Sequence, residues 1–116
     1  MDTNAYGIGL LSQVLDASTL RHRVISQNIA NVNTPGYRRL AVTFEEDLAR
    51  ALAIPDGGVP VKPQVVVADG PERVDGNTVD IDQEIGDLNK NALLYQAAAQ
   101  ILTSRMATLR AAVSGR

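Results

Sequence analysis

The chain contains no cysteine and no tryptophan, and its aromatic side chains are confined to Tyr6, Tyr37, Phe44 and Tyr95. Without cysteine there is no disulfide frame and no thiolate chemistry, an absence that fits either redox environment. So few aromatics in 116 residues argue against a compact catalytic globule, because aromatic side chains supply much of the buried area of small domains. An excess of charge is also missing. The net charge is -2 and the longest basic run is Arg38-Arg39, so nothing marks the surface for nucleic acid or an anionic membrane. Nor is there a long hydrophobic run. In "MDTNAYGIGLLSQVLDASTL" the residues Ser12, Gln13 and Asp16 interrupt the apolar positions. The pattern predicts neither a cleaved signal nor a membrane span, and export would have to read another signal.

What the chain does have is helical periodicity at both ends. Ile8, Leu11, Leu15, Ser18, His22, Ile25, Ile29 and Val32 fall on one stripe, all aliphatic except Ser18 and His22. Leu10, Val14, Ala17 and Val24 widen it, while Gln13, Asp16, Arg23 and Gln27 occupy the opposite face. The spacing predicts a helix over Leu10 to Ala30. Near the other end Ile81, Ile85, Leu88, Ala92, Tyr95, Ala99, Leu102, Met106, Leu109 and Val113 form an unbroken 4-3 series. Such a series reads as about four heptads of coiled-coil seam, on a helix about 50 Å long. Asp80 is placed to cap it, with Gln83 in the capping-box position. Asp82, Glu84 and Asp87 suit its positive end, Arg105 and Arg110 its negative end, and Gly115 its stop. Gly86 costs about 1 kcal/mol against alanine, which the long seam outweighs. Around Leu93, Leu94, Ala97, Ala98, Ala99 and Ile101 the helix is apolar on nearly every side, and the rest of the chain is too small to bury it.

Between the helices, "SQNIANVNTPGYRR" is a rigid exit. Thr34 precedes proline and is pushed toward an extended conformation. Pro35-Gly36 is the favoured central pair of a type II turn, and Asn31 and Asn33 tolerate the backbone of a helix end. The exit delivers Tyr37 and the strand-like "YRRLAVTF" in a fixed direction. Phe44, Leu48 and Leu52 then predict a short helix, "PDGGVPVKPQ" a breaker-rich loop, and Val65 to Val67 one or two short strands. The fold class is therefore mainly α: long N- and C-terminal helices forming an antiparallel coiled-coil-like hairpin, with a loop-rich middle. The divisions fall at 1–33, 34–79 and 80–116.

Catalytic and metal chemistry find little support. His22 has Ser18 and Ser26 one turn to either side, but all three are assigned to a helix-helix seam, as polar positions that set register. No strained nucleophile turn or oxyanion donor accompanies them. Asp75, Asn77, Asp80 and Asp82 hint at calcium. A calcium loop counted from Asp75, however, needs glycine where Asp80 stands and glutamate where Gly86 stands. No catalytic, cofactor or metal residue is assigned, and an enzyme is not expected.

"NIANVNTPGYRR" resembles the N-terminal signature of the flagellar axial proteins, the rod and hook family, through Asn28, Ile29, Ala30, Asn31, Thr34, Pro35, Gly36 and Tyr37. "DGNTVDIDQEIGDLNKNALLYQ", Asp75 to Gln96, is similar to the region before and within the C-terminal helix of the proximal rod branch. The segment from Ile54 to Val74 is short for the family. The resemblance implies a structural subunit of the proximal rod in the periplasm, exported by the flagellar type III apparatus without cleavage of a signal. It implies polymerisation through the terminal helices, joining the export gate and MS ring to the distal rod. The implied partners are further copies, FlgC and the distal rod proteins, FliE, the export gate and the MS ring, with no nucleic acid, cofactor or small-molecule substrate. The assembly seam is assigned to Leu11, Leu15, Ile25, Ile29, Ile85, Leu88, Tyr95, Leu102, Met106 and Leu109. The rival reading is a free-standing coiled-coil adaptor or export chaperone, which would have no use for the rigid Thr34–Tyr37 exit.

Overall fold

Two long helices lie antiparallel, and a small two-stranded sheet packs against one end of the first. The structure is a computed structural model and describes residues 3–54 and 60–115. In chain order the elements are α1 (Thr3–Ala30), β1 (Leu40–Thr43), α2 (Glu45–Leu52), β2 (Gln64–Val67) and α3 (Ile81–Ser114). The molecule is elongated, with extents of 64 × 28 × 14 Å. The mainly helical class and the hairpin agree with the sequence pattern. α1 begins earlier than the apolar stripe implied, at Thr3 rather than Leu10. Pro55 to Val59 of the breaker-rich loop lie outside the described residues.

The ends of α3 follow the side chains available. Asp80 is extended and its carboxylate accepts from the backbone N–H of Asp82 at 3.0 Å and Gln83 at 3.4 Å, satisfying donors that have no partner within the helix. Gly115 closes the other end at φ 74°, a conformation that costs glycine nothing.

The strands pair antiparallel, Leu40 opposite Val67 and Thr43 opposite Gln64. β1 lies against α1 and turns Val42 inward; Phe44, just past its end, is also buried, whereas every residue of β2 is exposed. The Arg21 guanidinium forks onto both Glu45 carboxylate oxygens, at 2.6 and 2.9 Å, and onto the Val42 carbonyl at 2.9 Å. That hydrogen bond holds the Glu45 carboxyl below the usual carboxylate range and fastens the start of α2 to α1.

The helix-helix contact does not run along the apolar stripe of α3. It runs along Glu84, Asn91 and Ala98, all buried, and on to Arg105, whose guanidinium lies against Gly7. These four positions repeat every seven residues, each one residue before Ile85, Ala92, Ala99 and Met106. One residue turns a helix by about 100°, so the apolar series is rotated partly out of the hairpin. Ile85 is 46%, Met106 49% and Val113 83% exposed.

Candidate functional site: a polar clasp at the closed end

The two sequence motifs, some forty residues apart, form one site. Residues 34–39 leave α1 and run beside residues 75–78, which lead into α3. The Thr34–Tyr37 turn closes with the Tyr37 N–H on the Thr34 carbonyl at 3.2 Å, and Gly36 takes φ 74°, as the third residue of a type II turn requires. The Gly36 N–H then donates to the Asp75 carbonyl at 2.8 Å, and the Thr78 N–H to the Tyr37 carbonyl at 3.1 Å. Gly76, at φ 83°, faces Gly36 so closely that a Cβ on Gly76 would stand 3.4 Å from the Gly36 Cα.

Asn77 and Arg73, some forty residues further along the chain, hold the turn that follows α1. The fully buried Asn77 amide donates to the carbonyls of Asn31, Val32 and Thr34 at 3.0, 3.1 and 2.8 Å. Its oxygen accepts from the Val79 N–H at 2.8 Å. The Arg73 guanidinium also donates to the Val32 carbonyl, and to that of Val79 at 2.7 Å. The last turn of α1 carries no basic residue; its carbonyls accept from the N–H groups of Asn31 and Val32, and the remote amide and cation hold the turn that follows, near the negative end of the dipole.

Asn28 is the centre of the clasp, and none of its surface is exposed. Its NH₂ donates to the Leu40 carbonyl at 2.8 Å and to the Glu84 carboxylate at 3.2 Å. Its oxygen accepts from the Leu40 N–H at 3.0 Å and the Tyr37 hydroxyl at 3.1 Å. Two donors and two acceptors are all that an amide has. Aspartate would lack the donors, and a longer glutamine would displace them.

Glu84, equally buried, pairs with the Arg39 guanidinium, which also reaches Asp87 at 3.1 Å. The Arg39 backbone is held as well: its N–H donates to the Thr78 hydroxyl at 2.7 Å and its carbonyl accepts from Ala68. A buried carboxylate is tolerable when its charge is matched and its lone pairs are bonded, and both conditions are met. Among the described residues no buried side-chain nitrogen or oxygen lacks a partner. Burial first, and the Glu84 carboxylate second, hold the Tyr37 hydroxyl above the ordinary tyrosine value.

Several residues singled out in the sequence stand elsewhere than expected. Ser18 does occupy the seam, in a reciprocal pair with Asn91: its hydroxyl donates to the Asn91 side chain at 3.0 Å, and the Asn91 amide to the Ser18 carbonyl at 2.8 Å. His22 and Ser26 do not; both are exposed. His22 lines a shallow groove beside Ala92, Tyr95 and Gln96, because the contact line passes through Ile25 and Asn28 instead. Glu84 belongs to the first turn of α3, as a dipole residue should, but its position is set by Asn28 and Arg39. Asp75 and Asn77 act as turn caps, the Asp75 carboxylate accepting from the Asn77 N–H at 3.1 Å.

The motif residues separate into three groups. Asn28 and Tyr37 meet within the clasp. Asn31 and Thr34 bond one another at 3.1 Å on its rim. Ala30, Pro35 and Gly36 are exposed and Ile29 is half-buried. Of the seam residues, Ile25 is buried, Leu11, Leu15, Ile29, Leu88 and Leu102 are half-buried, and Ile85, Tyr95, Met106 and Leu109 are exposed. Sequence reasoning passed over Arg39, Arg73 and Asn91. The seven-residue repeat of Glu84, Asn91, Ala98 and Arg105 was the available signal, obscured by the apolar series one residue out of phase.

The sequence that builds this site has known relatives. The family described as "Flagella basal body rod protein" matches residues 17–38, from the buried half of α1 through the Pro-Gly turn. The flagellar basal body rod protein FlgB of Borrelia hermsii is 33% identical over 115 residues, covering 81% of this chain and 85% of that protein. FlgB of Aeromonas hydrophila is 28% identical, with 92% of each chain covered. FlgB of Bacillus subtilis is also 28% identical, covering 90% of this chain and 91% of its own. A helical hairpin with this signature is thus a flagellar basal body rod protein, of a structural and not an enzymatic class. Within that class the chain belongs to the FlgB family.

Proposed function

We propose that the chain is a structural subunit of the proximal rod, polymerising through its terminal helices to connect the export gate and MS ring to the distal rod. The observation that carries this reading is the apolar surface that the hairpin leaves outside itself. Along the heptad series of α3, Ile85 is 46% exposed, Tyr95 44%, Met106 49% and Val113 83%. Soluble monomers seldom present so continuous an apolar face, and a heptad series is the pattern that helices of neighbouring subunits cover. In this reading the helices of 1–33 and 80–116 form the axial core, and the 34–79 segment braces it. The assembly seam comprises Leu11, Leu15, Ile25, Ile29, Ile85, Leu88, Tyr95, Leu102, Met106 and Leu109. The neighbours are further copies, FlgC, FliE and distal rod proteins, in the periplasm. The chain reaches them through the type III apparatus without losing a signal peptide.

The test is electron cryomicroscopy of isolated basal bodies beside a Met106→Asp strain. Met106 is half exposed in the lone chain, so aspartate there should leave the helical content of purified protein unchanged. In an apolar contact between subunits an unpaired carboxylate is costly, so rods should be absent and the cells non-motile. Normal rods in the Met106→Asp strain would overturn the seam. Absence of the chain from rod density, with recovery in a complex with export substrates, would favour the adaptor or chaperone reading.

A further inference from the structure

The small sheet has one sealed edge and one open edge. The Ala68 N–H donates to the Arg39 carbonyl, and hydrogen bonding alternates along an antiparallel pair. Leu40 stands opposite Val67 and Val42 opposite Val65, so the backbone groups of these residues point out of the ladder. On the β1 side they are taken up by side chains. Asn28 holds the N–H and the carbonyl of Leu40 at 3.0 and 2.8 Å, and Arg21 holds the Val42 carbonyl at 2.9 Å. On the β2 side, the N–H and carbonyl groups of Val65 and Val67 have no hydrogen-bond partner among the described residues. Every residue of β2 is exposed as well.

We propose that this open edge pairs with the same edge of a second copy, antiparallel about a two-fold axis at Val66. In that register Val65 of each chain faces Val67 of the other. Each such pair exchanges both backbone hydrogen bonds, and every outward group of the edge finds a partner. A second copy is the strand that fits. A head-to-tail contact would need the β1 edge, which Asn28 and Arg21 have closed, so sheet pairing between two copies is isologous. The charges agree with it: Lys62 precedes β2 and Asp69 follows it, both exposed. Antiparallel order brings the Lys62 end of each strand to the Asp69 end of the other, as cross-strand charge pairing favours. Pro63 has no N–H and ends the pairing there. The contact doubles a two-stranded sheet, and about three or more strands are what a sheet needs for stability of its own. Its symmetry closes it. It is therefore a pairing of free subunits, separate from any contact that extends a rod, and it covers an edge open to stray strands.

One short strand is a small contact beside the ~800 Å² per partner of stable complexes, so the dimer is weak and is best trapped. Disulfide trapping suits a chain with no cysteine of its own. At the two-fold axis the two Val66 Cβ atoms would stand about 4.5–5.5 Å apart. Those of Gln64, on the same face, would be offset by roughly 13 Å along the strands, beyond the reach of a disulfide. Under oxidised glutathione, purified Val66→Cys should give covalent dimer at least about tenfold faster than Gln64→Cys, and urea should abolish the difference. Adding Val67→Pro should also abolish it without lowering the thermal midpoint, because that N–H points away from β1. Equal rates for the two thiols, faster trapping of Gln64→Cys, or a preference that survives urea or Val67→Pro would each overturn the proposal. A lowered midpoint in Val67→Pro would place that N–H inside the ladder and overturn it too. All of this is read on purified chain, so it stands or falls apart from the subunit's place in the rod.

Discussion

The side-chain amide of Asn77 lies 2.8 Å from the carbonyl oxygen of Thr34, across 43 residues of sequence. The same nitrogen serves the carbonyls of Asn31 and Val32, so one side chain holds the whole turn that follows α1. Asn77→Ala should therefore destabilise the chain by about 1–3 kcal/mol, the cost of unpairing the buried Val79 N–H and weakening the bonds to partly buried carbonyls. Asn77→Asp should be at least as damaging, because it removes the donors and sets a carboxylate against carbonyl oxygens. Urea titration followed by circular dichroism measures both, and an unchanged midpoint for the alanine variant would mean that Arg73 alone suffices to hold the turn.

Removing one member of a buried ion pair leaves the other charged and desolvated. Glu84→Ala should cost about 3–5 kcal/mol, a loss large enough to unfold a small domain at ordinary temperature. Glu84→Gln should cost less, since it still accepts from Asn28 while Asp87 continues to pair with Arg39. If both variants unfold at the same denaturant concentration, the charge on Glu84 matters more than its hydrogen bonds.

Gly36 and Gly76 differ from the other described glycines of the middle segment in needing positive φ. A side chain in that region costs about 1–2 kcal/mol. Gly36→Ala should lose that amount and Gly76→Ala more, because its Cβ would also press on the Gly36 backbone at 3.4 Å. Gly70→Ala is the control: its Cβ would meet open space and its φ is not positive. Thermal melting of the three variants should rank them in that order.

Tyr37 gives the clasp an alkaline limit. With its hydroxyl held above the ordinary value of 10.0, the folded chain favours the neutral phenol. The stabilisation is complete below the unfolded value and is lost as pH rises through the folded one, because the unfolded chain ionises first. Tyr37→Phe should therefore be less stable than the unaltered chain at pH 8 by about 1 kcal/mol, the worth of one hydrogen bond. That gap should narrow above pH 10. Paired urea titrations at the two pH values give the answer, and a gap that widens with pH would contradict the burial of the phenol.

The helices were legible because amphipathic spacing is a local property: each stripe is written in consecutive residues, and Asp80 and Gly115 mark both ends of α3. The Thr34–Tyr37 turn was legible for the same reason. What could not be read was the line of contact between the helices. A search for apolar periodicity selects Ile85, Ala92, Ala99 and Met106, whereas the packed positions Glu84, Asn91 and Arg105 are polar. Polar side chains are buried only where partners await them, and those partners, Asn28, Arg39 and Ser18, lie 45 to 73 residues away. Likewise Asp80 was expected to cap α3 and does, but nothing local told that Asn77, three residues earlier, would hold the turn after α1. His22 was misplaced because its spacing from Ser18 and Ile25 was compatible with the stripe, and nothing local distinguishes the flank of a contact from its centre.

A helix whose end is held by fixed external groups has a fixed rotational phase. Asn28, in the last turn of α1, is held by Leu40, Glu84 and Tyr37, and Asn77 and Arg73 hold the turn that follows. Every residue added or removed between the clasp and Leu11 would advance or retard the outer part of the helix by about 100° and about 1.5 Å. The side chains of Leu11 and Leu15, some 20–25 Å along the axis by the same rise, thus take their azimuth from hydrogen bonds made at the opposite end of the helix. The clasp is an angular datum: from it the direction of every side chain on α1 is counted, as hours are counted from the mark at the top of a dial.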